Sequence, residues 1–202
     1  MRDYDRVVER LKAEIEQRFG GKALARHTHS VAEFAREIAG SVDGGDERLQ
    51  RKTYVAGLAH DLYRKFTEQK LRELIRRDNV PIDDDAWRFG GGLLHAPPAA
   101  HFLHAGLGVS DEAVICAVYY HTTSRAGASL LDRVLFCADY LDPSREVRNC
   151  DPDVAELSRR VLTDLDGVYR EVLSRKLAHT ISRGRPLHPN GIAAWNEVLS
   201  FG

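Results

Sequence analysis

Six side chains in this sequence have metal-ligating chemistry and sit where burial would otherwise be costly: His29, the adjacent pair His60-Asp61, His95, His121 and Asp139. Each falls within or at the end of an apolar helical segment, where an imidazole or carboxylate costs free energy unless it is hydrogen-bonded or bound to a cation. Four imidazoles and two carboxylates, without a thiolate, form a mixed nitrogen–oxygen set suited to iron, manganese, cobalt, nickel or zinc rather than calcium. A single ion takes about four such ligands plus water, so six are better explained by two ions, with Asp61 or a water bridging them. Two ions about 4 Å apart polarise the attacking and leaving oxygens of an in-line phosphoryl displacement and activate water near neutral pH.

Positive side chains lie beside these blocks in the sequence and offer contacts to a polyanion. Arg145 and Arg125 lead as phosphate contacts, Arg64 and Lys65 follow, and Arg26 and Arg148 read as exposed or structural. Thr122, next to His121, either donates a hydrogen bond to substrate or caps the helix end. His27 lies two positions before His29 and reaches substrate from the rim of such a site. His101, His104, His179 and His188 read as surface or supporting groups. Asp83-Asp84-Asp85 reads as a solvated loop, and Gly90-Gly91-Gly92 lacks the Gly-Lys-Ser/Thr ending of a phosphate-binding loop. Trp87 and Phe89, beside that triplet, suit base stacking, a lid or core packing.

The elements that must position these groups are helices. Tyr4, Val7, Val8, Leu11, Ile15 and Phe19 recur at helical spacing and stop at Gly20-Gly21. The same period predicts helices over about 23–39, with Leu24, Val31, Phe34 and Ile38 on its stripe, and over 46–60. Thr67 predicts the cap of a helix over 68–78. The stretch 81–94 reads as a loop with at most one helical turn. Pro97-Pro98 suits the first turn of a helix to about 103, and Ser110 the cap of one over 111–121. Further helices are predicted over 130–141, 152–181 and from Ile192 to Leu199. No period-two alternation occurs, so the expected fold is all-α: one domain over 1–202 with eight or nine helices, in which 1–20 packs on the body and 152–200 completes it. The apolar face of 152–181 serves either the core or contact with a second copy, a homodimer.

Composition narrows the function classes. The chain has 202 residues, 29 Lys+Arg against 30 Asp+Glu and a formal net charge of -1, which argues against a basic nucleic-acid-binding tail. Its longest apolar run, from Ala113 to Tyr120, is far short of the roughly 20 residues a membrane helix needs. The N-terminus carries charges of both signs and leads into no apolar stretch, which reads against a secretory leader. Three scattered cysteines suggest no disulfide framework. The expectation is a cytoplasmic protein with a small-molecule substrate.

At its candidate ligands the chain resembles the HD-domain metal-dependent phosphohydrolases, whose signature is a His, a later His-Asp pair and a distal Asp, here His29, His60-Asp61 and Asp139. Five blocks narrow the resemblance: Arg26-His27-Thr28-His29-Ser30, His60-Asp61, Leu94-His95-Ala96-Pro97, Tyr120-His121-Thr122-Thr123 and the run from Ala138 to Arg145. In order and spacing they are similar to the YqeK-type branch, the symmetrical bis(5'-nucleosyl)-tetraphosphatases, over about residues 5–200. The resemblance implies an all-helical diiron protein that hydrolyses diadenosine tetraphosphate to two ADP, with water activated at Asp61 and its neighbours. Arg64 stands where relatives commonly have Lys, Ala99 where they often have Gly, and Asp142 where Glu is more usual. Rival readings are a phosphohydrolase for another nucleotide and a non-catalytic, metal-holding regulatory or assembly protein.

Overall fold

A computed structural model describes residues 2–144 and 152–200. The helical periods of the sequence become helices, and no strand is found among the described residues. In α1 (Arg2–Phe19), Val7, Leu11, Ile15 and Phe19 form the buried stripe. α2 (Ala23–Ser41) and α3 (Glu47–Ala59) pack along one another. Asp46 opens α3 by accepting from the Arg48 amide. Thr67 likewise caps α4 (Glu68–Arg77), accepting from Lys70. After α5 (Asp84–Phe89) and α6 (Ala96–His101) come α7 (Glu112–Tyr120) and α8 (Leu130–Leu141). Reciprocal hydrogen bonds between Ser129 and Asp132 start α8. α8 touches α2, α3 and α7, and from the other side α9 (Pro152–Arg160) and α10 (Leu165–Ser182). α11 (Pro189–Ser200) packs on α10. One apolar cluster runs from Val7 in α1 to Ala194 in α11, so the terminal helices close the same core as the central ones.

Several boundaries differ from the sequence reading. Segment 81–94 contains a real helix, α5, because Asp83 accepts from the Ala86 amide and Tyr119 bonds Asp83 from α7. Asp111, not Ser110, caps α7: its carboxylate accepts from the Ala113 amide and sits 2.6 Å from Lys52 Nζ. Segment 152–181 is two helices rather than one. The Arg160 carbonyl accepts from Thr163 and Asp164, and the Asp164 side chain then caps α10 by accepting from Gly167. These changes bring the count to eleven α-helices among the described residues. Along 152–181, Val154, Leu157, Val161, Leu165, Val168 and Val172 are buried in the core, so these side chains of the apolar face are used inside the chain.

The α2–α3 contact sets the frame of the site, because α2 carries His27 and α3 ends at His60-Asp61. A Cβ at Gly57 would stand 2.5 Å from Ala32 Cα. Alanine is intrinsically better in a helix by about 1 kcal/mol, but here it meets backbone that cannot rotate away. Gly57→Ala is therefore expected to lower unfolding stability by about 1–3 kcal/mol despite its helix propensity, read as a shift in denaturant midpoint. An unchanged or raised midpoint would show that the two helices can separate at little cost.

Candidate metal centre

Five helices deliver the chemically competent side chains. His27 projects from the middle of α2 and Asp139 from α8. His60 and Asp61 follow the last turn of α3, His95 precedes α6, and His121 follows α7. The ends of α3 and α7 use one device: His60 Nδ1 bonds the Gly57 carbonyl at 2.7 Å and His121 Nδ1 the Val118 carbonyl at 2.8 Å. Each imidazole satisfies a carbonyl that the ending helix leaves without an amide. The same bond puts the proton on Nδ1 and leaves Nε2 as a lone pair aimed inward.

Two groups of three have ligand atoms close enough to hold one ion each: His27, His60 and Asp139, and Asp61, His95 and His121. Asp61 faces both. Its Oδ1 lies 3.0 Å from His95 Nε2 and 3.6 Å from His121 Nε2, while Oδ2 lies 3.4 Å from His27 Nε2 and 3.6 Å from His60 Nε2. His27 Nε2 is also 3.4 Å from Asp139 Oδ1. His60 Nε2 is buried with no hydrogen-bond partner, and the His95 and His121 Nε2 atoms face one another at 3.1 Å. An orphaned buried nitrogen and converging imidazole nitrogens around a carboxylate fit a cation at each group.

The sequence expectation for His29 is corrected here. His29 belongs to neither group and is only half buried, whereas His27 is buried at the centre. On a helix, positions two apart point about 200° away from each other, so only one of the pair can face inward. His27 lies three residues after Leu24 and four before Val31, on the apolar stripe itself, and His29 does not. That phase was the available signal.

Asp142, at the end of α8, fixes His27 from behind: its Oδ2 is 2.6 Å from His27 Nδ1. The carboxylate also accepts from the Ser144 amide at 2.9 Å and the Ser144 hydroxyl at 2.7 Å, which holds it in place. It is an imidazole–carboxylate pair of the kind that orients metal-binding histidines.

Burial opposes charge on His27, but hydrogen bonds to Asp139, Asp142 and Asp61 outweigh it and push its pKa up to about 10. Burial also opposes ionised Asp61; His60, His121, His27 and His95 together hold its carboxyl well below the usual range. Asp139 is held low against burial by His27 and Lys176. Burial pushes His60 down to about 4 and lowers His95. Asp61 and Asp139 ionised beside neutral His60 and His95 are in the protonation states that bind a cation, whereas His27, charged while it faces three carboxylates, must give up its Nε2 proton when a cation takes that place.

A cleft of about 580 Å³ opens onto Asp139. Arg64 and Thr122 line it, with Arg64 Nη1 3.2 Å from Asp61 Oδ1. Lys65 is exposed and does not line it. Arg125 is not on the cleft either, contrary to the sequence expectation: its guanidinium pairs with Asp132 at 3.0 Å and lies over the Tyr120 ring, tying α7 to α8. Arg145 and Arg148 lie outside the described residues. Trp87 packs against Arg72 and Arg76, and Phe89 against His188. A larger cavity of about 830 Å³, beside Tyr4, Asp46 and Asp111, holds no histidine.

The HD domain model matches residues 24–144, which contain every member of both groups. The chain belongs to the HD-domain family. It is 32% identical over 174 residues, 86% of this chain and 88% of the relative, to a protein of Halalkalibacterium halodurans named bis(5'-nucleosyl)-tetraphosphatase, symmetrical. A Bacillus subtilis protein of the same name is 29% identical, again over 86% of this chain and 88% of the relative. Among solved structures, an HD superfamily hydrolase of Clostridium acetobutylicum, described as involved in NAD metabolism, superposes with a TM-score of 0.80 at 26% identity over 96% of this chain and 98% of that one.

Within this HD-domain centre, the inward phase of His27 makes a test against its neighbour. Elemental analysis of His27→Ala should show metal lost, while His29→Ala keeps the wild-type content; the opposite result would return the role to His29. Asp142→Asn should weaken metal retention by about 10- to 100-fold.

Proposed function

We propose that this HD-domain chain hydrolyses diadenosine tetraphosphate symmetrically, adding one water to give two ADP. We propose also that His27, His60 and Asp139 hold one divalent ion and Asp61, His95 and His121 a second, with Asp61 between them. Iron is the proposed metal, from a nitrogen–oxygen set that also accepts manganese, cobalt, nickel or zinc. The observation that carries the reading is the orientation of Asp61, one oxygen toward each group, 3.0 Å from His95 Nε2 and 3.4 Å from His27 Nε2. The two relatives named symmetrical tetraphosphatases supply the substrate class.

When bound, the two ions supply Lewis acidity toward phosphoryl oxygens and activation of water. The chain's own groups do the rest. Asp61 and Asp139 remain ionised in a buried setting, so the centre keeps its affinity for cations at neutral pH. The Nδ1 bonds of His60 and His121 to backbone carbonyls stop those rings from turning, which holds their Nε2 lone pairs in register. The Arg64 side chain is 43% exposed, so its guanidinium reaches both Asp61 and an oxygen of a substrate phosphate in the cleft. Charge developing on the nonbridging oxygens is met by this fixed cation. The Thr122 hydroxyl, on the same cleft, donates to a substrate oxygen. ADP leaves as a phosphate anion, a moderate leaving group, and no general acid is assigned. Among the described residues no helix is long and apolar enough to cross a membrane, consistent with a nucleotide taken from water.

Purified protein should carry close to two transition-metal ions per chain and convert diadenosine tetraphosphate to ADP alone, seen by chromatography of the products. Chelation should abolish turnover and metal addition restore it. ATP and AMP as products, or full turnover after complete metal removal, would overturn the reading.

A further inference from the structure

We infer that Lys176 of α10, outside the segment that matches the HD domain, binds the substrate's polyphosphate on the Asp139 side of the centre, opposite Arg64. Lys176 Nζ lies 3.9 Å from Asp139 Oδ2, and Asp139 turns its other oxygen toward His27. That separation is an ion pair rather than a hydrogen bond. Nζ lies 4.1 Å from the centroid of the Phe136 ring, a side chain only 1% exposed, which supports the cation against a rigid face. With 24% of its side chain exposed, Lys176 lines the same cleft as Arg64 and Thr122.

The two cations therefore flank the centre at its two groups. Arg64 stands at Asp61, beside His95 and His121, and Lys176 at Asp139, beside His27 and His60. Cleavage in the middle of a tetraphosphate leaves a diphosphate on each side of the scissile bond. Each half brings negative charge that must be neutralised outside the ligand groups. A cation on each flank centres the chain, so that the bond broken is the one between the two inner phosphates. Lysine suits the task at Asp139, because a compact ammonium on a flexible stem follows a phosphate oxygen as it moves during departure.

The inference rests on the proposed function, and the experiment separates the two. Metal-loaded wild-type, Lys176→Met and Lys176→Arg proteins are compared in metal content, ADP affinity by calorimetry, and kcat/KM on diadenosine tetraphosphate and on bis(p-nitrophenyl) phosphate. The last substrate is a single phosphodiester with no flanking phosphates. In Lys176→Met, ADP affinity and kcat/KM on the tetraphosphate should fall roughly tenfold to a hundredfold, at least about tenfold more than the loss on the diester, with both ions retained. Lys176→Arg should recover most of the ADP affinity. Equal losses on both substrates, or loss of metal, would overturn the inference and make Lys176 a support for Asp139. Unchanged ADP affinity, or no ADP binding by wild-type protein, would also overturn it. Wild-type protein that binds ADP but leaves the tetraphosphate intact would defeat the functional reading alone, and the ADP measurement would still decide Lys176.

Discussion

Two ionised carboxylates buried at the meeting point of five helices are the constraint that organises this protein. Asp61 is 1% exposed and Asp139 8%, and neither can stay charged in such a place without compensation. The surrounding groups supply it in layers: His27 bridges toward both, His60, His95 and His121 turn nitrogen atoms inward, and Lys176 and Arg64 approach from the cleft. The result is a buried carboxylate pair ringed by imidazoles, a setting for cations in which the exclusion of water strengthens each electrostatic contact.

That setting depends on how the helices end. A helix C-terminus leaves carbonyls without donors, and in α3 and α7 a histidine just past the last turn takes that role. One hydrogen bond thus finishes the helix, selects the tautomer and aims the opposite nitrogen. α8 contributes in another way: Asp139 lies within it, while Asp142 at its end grips His27 across the interface with α2. Helix packing and ligand orientation are therefore one problem. The close approach of Gly57 to Ala32 is part of the same arrangement, because it sets the distance between the helices that bring His27 and His60 together.

The cleft shows how a shared HD framework is made particular. Its floor, at Asp139 and Phe136, lies in the segment that matches the family model, and its far wall is built by α10 and the residues after it. In the proposed reaction the ligand groups hold the cations and the outer wall meets the parts of the substrate that do not react. Binding energy gained there favours a long polyanion over a simple ester, which is the distinction a dinucleoside polyphosphatase must make.

Much of this was legible in the residues. Helical spacing placed most elements, since a stripe such as Val7, Leu11, Ile15 and Phe19 has only one way to be buried, and Thr67 marked its helix start. Five of the six inward groups, namely His60, Asp61, His95, His121 and Asp139, stood out by type and position. The choice between His27 and His29 needed helix phase, and spacing to a motif misdirected it. Arg125 looked like a phosphate contact because it follows His121 closely, yet only the folded chain shows that Asp132 takes its charge. Asp142 and Lys176 are separated from His27 and Asp139 by 115 and 37 positions along the chain, and no local pattern joins them. Amphipathic period and residue chemistry are local properties that a sequence carries by itself. Which buried charges become neighbours is decided by long-range packing, because the free energy of a charge depends on what surrounds it in space.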